Sequence, residues 1–136
     1  MADDARLHVE VVSPEKVLYS GDGEMVVCRT AEGDIAFLPG HAPFLGALGV
    51  AKVRVIMPDG EQAIAVHAGF VEVSNNRVVV LSDVAELPEQ IDVARAQAAK
   101  ERAEAALAAN DLDTEAADSL QRAELRLDLA GVGSPT

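Results

Sequence analysis

The sequence predicts an α+β protein, in which an antiparallel β-domain is followed by an antiparallel αα-hairpin. Apolar and polar side chains alternate along residues 7–82, with frequent turns that contain Gly or Pro, as in short strands. Residues 91–130 contain 13 alanines and no Gly or Pro, a composition that favours helix. We place the boundary near Pro88, with a β-domain in residues 1–87 and a helical hairpin in residues 88–136.

The β-domain contains short strands separated by turn signals. The Pro-Asp-Gly sequence at residues 58–60 predicts a hairpin turn, because Pro presets the first turn angle and Gly permits positive φ. The Ser-Asn-Asn sequence at residues 74–76 predicts a second hairpin. The predicted strands cover residues 7–11, 16–20, 25–30, 35–38, 50–57, 62–68, 70–73 and 77–81. Many short strands at this spacing indicate an all-β sandwich or a flattened barrel.

Two helices are predicted in the alanine-rich segment, on either side of a polar break at residues 110–113. Asp113 or Thr114 can cap the second helix, and Gly131 can end it in the left-handed conformation. Each helix carries small or apolar residues at helical spacing: Ala96, Ala99, Ala103 and Ala106 in the first, and Ala116, Leu120, Ala123, Leu127 and Ala130 in the second. Because alanine buries little area, we expect weak packing within the hairpin. The hairpin must therefore rest on the β-domain, on a partner, or on each in turn.

The composition excludes several classes of function. The net charge of -12 is spread over both halves of the chain and repels nucleic acid, and the chain has no Trp and only one Tyr and three Phe for base stacking. Cys28 is the only cysteine, which excludes an internal disulfide, and we expect it to be a small buried hydrophobe. No apolar run approaches the about 20 residues of a membrane span, and the N-terminus is acidic and polar. We therefore expect a soluble, cytoplasmic protein without direct membrane insertion.

The segment Ile-Asp-Val-Ala-Arg-Ala at residues 91–96 opens the first predicted helix. Asp92 is placed to cap that helix, since its carboxylate can accept unpaired backbone N–H groups. Asp92 and Arg95 are three residues apart, so the two side chains can pair with each other or reach one ligand. The residues alone leave both interpretations open: a cap with a local ion pair, or part of a binding site.

Three motifs, in this order, resemble the epsilon-subunit family of bacterial F-type ATP synthases. They are Leu-Pro-Gly-His-Ala-Pro-Phe-Leu at residues 38–45, Gly-Phe-Val-Glu-Val at 69–73 followed by the strand at 78–81, and the hexapeptide at 91–96. The resemblance covers nearly the whole chain and implies a β-sandwich of about ten strands followed by a mobile helical hairpin. It further implies that the sandwich binds the gamma stalk and the polar loops of the membrane c-ring. The extended hairpin would reach the α/β hexamer.

The function implied by the resemblance is that of a non-catalytic subunit at the cytoplasmic face of the cell membrane. Such a subunit couples the gamma stalk to the c-ring and restrains ATP hydrolysis through its hairpin. The second helix carries four acidic residues and only two basic ones, so we expect a weak or ATP-relieved brake. The alternative is a free-standing nucleotide-sensing module without a rotary partner.

The resemblance also implies that ATP, with or without Mg, is a regulatory ligand, and that no cofactor is required. The residues that match the ATP-binding positions are Glu86, Ile91, Asp92, Arg95, Ala96, Arg122 and Arg126. Arg122 and Arg126 lie one helical turn apart, so they could join Arg95 around a polyphosphate. The chain has no Gly-rich phosphate loop, so this site would not hydrolyse ATP. The alternative is an ordinary charged helix surface.

The predicted rotor interface rests on the same resemblance. Glu32, Gly33 and Asp34 occupy the turn that would approach the c-ring, and His41 lies on the following loop. A plain acidic turn and a structural role for His41 are the alternatives. No three-His metal site is expected, and no nucleophile with a partner base is recognisable.

Overall fold

The computed structural model describes residues 6–30 and 32–131. The strands are β1 (Leu7–Val12), β2 (Val17–Gly23), β3 (Met25–Thr30), β4 (Gly33–Phe37), β5 (Phe44–Met57), β6 (Gly60–Ser74), β7 (Arg77–Leu81) and β8 (Ala85–Glu86). A 3-10 turn (Pro88–Gln90) precedes helices α1 (Val93–Ala109) and α2 (Thr114–Leu129). The chain divides into two compact units between Glu86 and Leu87. Strands followed by a pair of helices confirm the predicted fold class.

The strands form one hydrogen-bonded path in the order β2-β1-β7-β6-β5-β3-β4, with β8 paired to β6. Every pairing is antiparallel except that of β1 with β7, which is parallel. This pair departs from the predicted antiparallel pattern. Because β1 and β7 are far apart in the sequence, no tight turn constrains their relative direction, and the intervening strands provide the crossover.

Strand β6 joins the two strands predicted at residues 62–68 and 70–73, and β5 extends the strand predicted at 50–57 back to Phe44. The eight described strands are roughly the number that the resemblance implies. The β5–β6 ladder is interrupted only at Gly49 and Ala68, between the pairs Leu48–Gly69 and Val50–His67. Ala68 has φ of 67° and Gly69 has φ of 156°. Residues of β6 before this point pair with β8, and those after it pair with β7. The interruption is therefore a bend by which both strands contribute to two parts of the sandwich.

Alternating residues of the strands form the core of this unit, as the period-two pattern predicts. Fully buried side chains include Leu7, Val9, Val11, Val26, Phe37, Val55, Val71, Val73, Val78 and Val80. Each contributes roughly 1.5–3 kcal/mol relative to an exposed side chain. Cys28 lies in this core, as expected, and burial raises the pKa of its thiol to about 12. A thiol with so high a pKa remains protonated at neutral pH and is a poor nucleophile.

The helical unit is an αα-hairpin in which α1 packs against α2. Asp92 caps α1 through a hydrogen bond from the Arg95 amide (3.0 Å), and Asp113 caps α2 through one from the Ala116 amide (3.0 Å). Gly131 follows α2 with φ of 82°. These ends confirm the predicted caps and the predicted terminal glycine.

The predicted small-residue stripes form the interface of the hairpin. Their buried members are Ala96 and Ala103 on α1, and Ala116, Ala123 and Leu127 on α2. A hollow of about 260 Å³ remains between the helices near their connection, lined in part by alanines of both. Small side chains thus bring the helices together without filling the space between them, which is consistent with the weak packing expected from the sequence.

Candidate functional site

A groove of about 530 Å³ lies beside the turn between β3 and β4. The turn residues Glu32, Gly33 and Asp34 line one side of it, and residues 44–47 at the start of β5 line the other. Three of the four residues predicted at the rotor interface therefore lie around one groove. Leu45 projects there with 70% of its surface exposed, which is unusual for a leucine in a strand.

The β3–β4 turn is held in a defined shape by local hydrogen bonds. The Thr30 hydroxyl donates to the Gly33 carbonyl (2.9 Å) and accepts from the Glu32 amide (3.1 Å), while Gly33 has φ of 119°. Across the hairpin, Arg29 donates to both carboxylate oxygens of Asp34 at 2.8 and 3.3 Å. The hydrogen bond from Arg29 is the main cause that lowers the pKa of Asp34. Asp34 is therefore part of the turn's own structure, and Glu32 supplies the exposed negative charge.

His41 supports the groove from within the loop that follows β4. Its ring packs edge-on against Phe37 at 5.0 Å between centroids and against Phe44, a groove residue, at 6.4 Å. Its Nδ1 lies 2.6 Å from the carbonyl oxygen of Ala42, and because a carbonyl only accepts, Nδ1 carries the proton. These contacts favour the structural role that the sequence left open for His41.

A row of exposed apolar side chains crosses the sheet next to this groove. Paired positions place Ala47 beside Phe70, Phe70 beside Leu81, and Leu81 beside Val12, which in turn pairs with Val17. Phe70, Leu81 and Val17 are each about half exposed (56%, 45% and 55%). We call these five residues the apolar row. The apolar row was not predicted from the sequence, although apolar residues at the polar-face positions of strands were a signal that could have revealed it.

The first turn of α1 contains the residues singled out in the hexapeptide. Asp92 and Arg95 are exposed, whereas Ile91 and Ala96 are buried. Asp92 accepts the Arg95 backbone amide, and over residues 6–30 and 32–131 no carboxylate forms an ion pair with the Arg95 guanidinium. The capping half of the local interpretation is thus confirmed, and the ion-pair half is wrong, because the carboxylate turns toward the backbone of the helix instead.

Arg122 and Arg126 are half-buried residues of α2, Arg122 at the middle of the helix and Arg126 in its last turn. The Arg122 Nη2 atom donates to the hydroxyl of Ser119 at 3.2 Å. The connection between the helices spans residues 110–113, and a connection this short makes packed helices antiparallel. The last turn of α2, with Arg126, therefore lies level with the first turn of α1, which contains Arg95. Arg122 lies one helical turn nearer the connection.

Glu86, the remaining predicted ligand, belongs to the first unit. It ends β8, and its Oε1 atom lies 3.1 Å from Nε2 of His67 on β6. The side chain of His67 is only 3% exposed, and that of Glu86 is 25% exposed. The sequence did not predict this pair, because the two residues are 19 positions apart and meet only through the pairing of β8 with β6.

Asp92→Ala is expected to destabilise the start of α1 by about 1 kcal/mol, because the cap hydrogen bond to the Arg95 amide is lost. Hydrogen exchange of the first-turn amides measures this directly, and faster exchange should be confined to that turn. Asp92→Asn is the matched control, since an asparagine oxygen can cap equally well. Equal exchange in wild type and Asp92→Ala would contradict the capping role.

Over residues 6–30 and 32–131, no three His, Cys, Asp or Glu side chains cluster closely enough to hold a metal ion. In the same residues, no helix is long and apolar enough to cross a membrane.

Residues 6–88 match the family of ATP synthase delta/epsilon chain β-sandwich domains. The chain belongs to the ATP synthase delta/epsilon family. Among its relatives, the ATP synthase epsilon chain of Shouchella clausii is 43% identical over 93% of this chain and 96% of its own length. The ATP synthase epsilon chain of Halalkalibacterium halodurans is 45% identical over 92% of this chain and 97% of its own length. Both matches extend through the helical hairpin.

The fold of this delta/epsilon chain also occurs in a solved assembly. A chain of the Euglena gracilis mitochondrial ATP synthase, in its OSCP/F1/c-ring assembly, superposes with a TM-score of 0.67 at 21% identity, over 94% of this chain and 79% of that one. The family membership confirms the resemblance drawn from the three motifs, and with it the expected function of an ATP synthase subunit.

Proposed function

We propose that the chain is a non-catalytic central-stalk subunit that joins the gamma stalk to the c-ring at the cytoplasmic face of the membrane. The observation that carries this proposal is the groove at the β3–β4 turn, where three of the four predicted rotor residues lie beside exposed apolar surface. Glu32 places a negative charge at the edge of the groove, and Leu45 forms an apolar wall of the groove. This combination suits a polar loop with a basic side chain, as the resemblance implies for the c-ring.

The apolar row is the proposed contact for the gamma stalk. It runs over five neighbouring strands, from β5 to β2, and each of its large side chains is about half exposed. Contiguous exposed apolar surface of this kind is typical of a protein interface, whereas single exposed residues are not. A rigid sheet also presents these side chains with little loss of entropy on binding.

Purification of the complex with charged variants tests both contacts. Phe70→Asp should abolish capture of the gamma subunit, because it introduces an unpaired charge at the centre of the apolar row. Leu45→Asp should retain gamma and lose the c-ring. Leu112→Asp is the matched control, since Leu112 is 82% exposed in the connection between the helices. If the wild-type chain captures no gamma-like subunit, the stalk proposal falls, and a free-standing nucleotide sensor becomes the better explanation.

We further propose that the hairpin binds ATP as a regulatory ligand, with or without Mg. Arg95 and Arg126 lie at the same end of the hairpin, with Arg122 one helical turn farther along α2, and guanidinium groups suit phosphate oxygens. Asp92 keeps its cap through Oδ1, and Oδ2 can accept from the adenine amine. The buried Ile91 and Ala96 fix the backbone that carries these two residues.

The loosely packed interface supports a switch role for the hairpin. A hollow remains between α1 and α2, and the interface consists mainly of alanine, so the packed and separated states differ little in free energy. A ligand that prefers the packed state can then shift the equilibrium by its differential affinity. The acidic residues of α2 would weaken an approach to acidic partner subunits. We therefore propose a weak brake on hydrolysis that ATP relieves.

A further inference from the structure

A pocket of about 300 Å³ lies beside the middle of the apolar row, where β7 ends next to the bend in β6. Phe70 and Leu81 of the apolar row line it, together with Pro14 in the turn between β1 and β2. Asp83, which is exposed, lines it as well. We call this the central pocket. It belongs entirely to the sandwich unit and continues the exposed apolar surface of the row.

Hydrogen bonds between the surrounding strand ends hold the central pocket open. The buried Ser82, one of its lining residues, donates from its hydroxyl to the Ala68 carbonyl at the bend of β6 (2.6 Å). The same hydroxyl accepts from the Val84 amide (3.3 Å), and the Ser82 amide donates to the Val12 carbonyl at the end of β1 (3.0 Å). Because these bonds fix the backbone around the pocket, a partner that enters it loses little free energy in ordering it.

Asp83 places a negative charge beside the apolar wall of the central pocket. Among residues 6–30 and 32–131, no basic side chain forms an ion pair with its carboxylate. A partner that covers this face removes water from the carboxylate, which is unfavourable unless a cation compensates the charge. The net charge of -12 also favours a basic partner surface.

We propose that the central pocket receives one bulky apolar side chain of the gamma stalk, and that Asp83 pairs with a basic residue next to it. This inference rests on the proposed contact between the apolar row and the gamma stalk. The volume lies at the lower limit of small-molecule sites, which is about 300 Å³, and suits a single side chain. The side chains that anchor an interface fill pockets near its centre, and this pocket adjoins β7, the middle strand of the row.

The affinity of the full chain for a purified gamma-containing complex that lacks this subunit tests the proposal. Pro14→Trp should weaken binding by at least about tenfold, because the larger side chain occupies the space of the anchor. Asp83→Asn should weaken binding by roughly three- to tenfold at low salt, and the loss should shrink as salt screens the wild-type pair. Pro58→Trp and Asp59→Asn, the same changes at exposed residues of the β5–β6 turn, should bind like wild type.

The outcomes separate this inference from the proposed gamma contact. If Phe70→Asp abolishes binding while Pro14→Trp and Asp83→Asn bind like their turn controls, the apolar row contacts gamma and the inference is wrong. A loss with only one of these two variants also overturns the inference, which requires both contacts. If wild type does not bind gamma, both proposals fall. Thermal unfolding checks that each variant is folded, and Pro14→Phe replaces Pro14→Trp if the latter does not fold.

Discussion

Gly69→Ala is expected to destabilise the sandwich by at least about 3 kcal/mol. Gly69 has φ of 156°, a conformation that residues with a Cβ rarely adopt, and a Cβ added there would overlap the backbone carbonyl oxygen of Leu81. Backbone cannot move aside as a flexible side chain can. The bend in β6 would have to shift, and with it the ladder that joins β6 to β7. Denaturant unfolding of the purified chain measures the loss.

Gly49→Ala is the matched control, because Gly49 lies at the same bend on the neighbouring strand β5. A Cβ at Gly49 meets no atom within 4 Å, and its φ is not positive. We expect the free energy of unfolding of Gly49→Ala to lie within roughly 0.5 kcal/mol of wild type, as for an exposed substitution without strain. Equal stability of the two alanine variants would show that the bend does not depend on Gly69.

The double variant Arg122→Ala with Arg126→Ala is expected to weaken ATP binding by at least about a hundredfold. Each guanidinium would supply charge-assisted hydrogen bonds to phosphate, of about 1.5–3 kcal/mol each, and two such losses exceed that factor. The two side chains lie one turn apart on one face of α2, so their loss removes positive charge from one place. Calorimetry with ATP measures the affinity, and circular dichroism checks that the helices persist.

Arg102→Ala is the control for net charge, because it removes an exposed arginine of α1 that is not among the predicted ligands. We expect it to bind ATP within about twofold of wild type, since an exposed charge that does not contact the ligand is screened by solvent and salt. If Arg102→Ala and the double variant weaken binding by the same factor, ATP responds only to overall charge. The assignment of Arg122 and Arg126 as ligands would then be wrong.

Local features of the fold could be predicted from the sequence, and long-range ones could not. The alternating residues of β1 and β7 and the caps at Asp92 and Asp113 depend on neighbours within one turn or one strand, and they were predicted. Gly49 and Gly69 resemble turn signals, yet they lie at a bend within two continuous strands, so that β6 joins two segments predicted as separate strands. A glycine permits either outcome, and only the ladder across the bend decides between them.

In the candidate sites, too, local features could be predicted from the sequence and features that depend on strand pairing could not. Glu32, Gly33 and Asp34 could be placed on a turn, but Leu45, which completes the groove, lay in a segment without a predicted strand. The pairing of Asp34 with Arg29 and that of Glu86 with His67 depend on strand register, which periodicity does not specify. The apolar row arises from four strand pairings at once, and the sequence contains it only as scattered residues.

Titration of the isolated chain with ATP tests most directly the claim that the helical hairpin is a nucleotide-controlled element. We expect heat from a single site and a rise in the melting temperature of the hairpin, without release of ADP, because ATP stabilises the packed helices. Absence of both the heat and the melting shift at millimolar ATP would contradict this claim. The hairpin would then be an ordinary charged pair of helices, capped by Asp92 and Asp113.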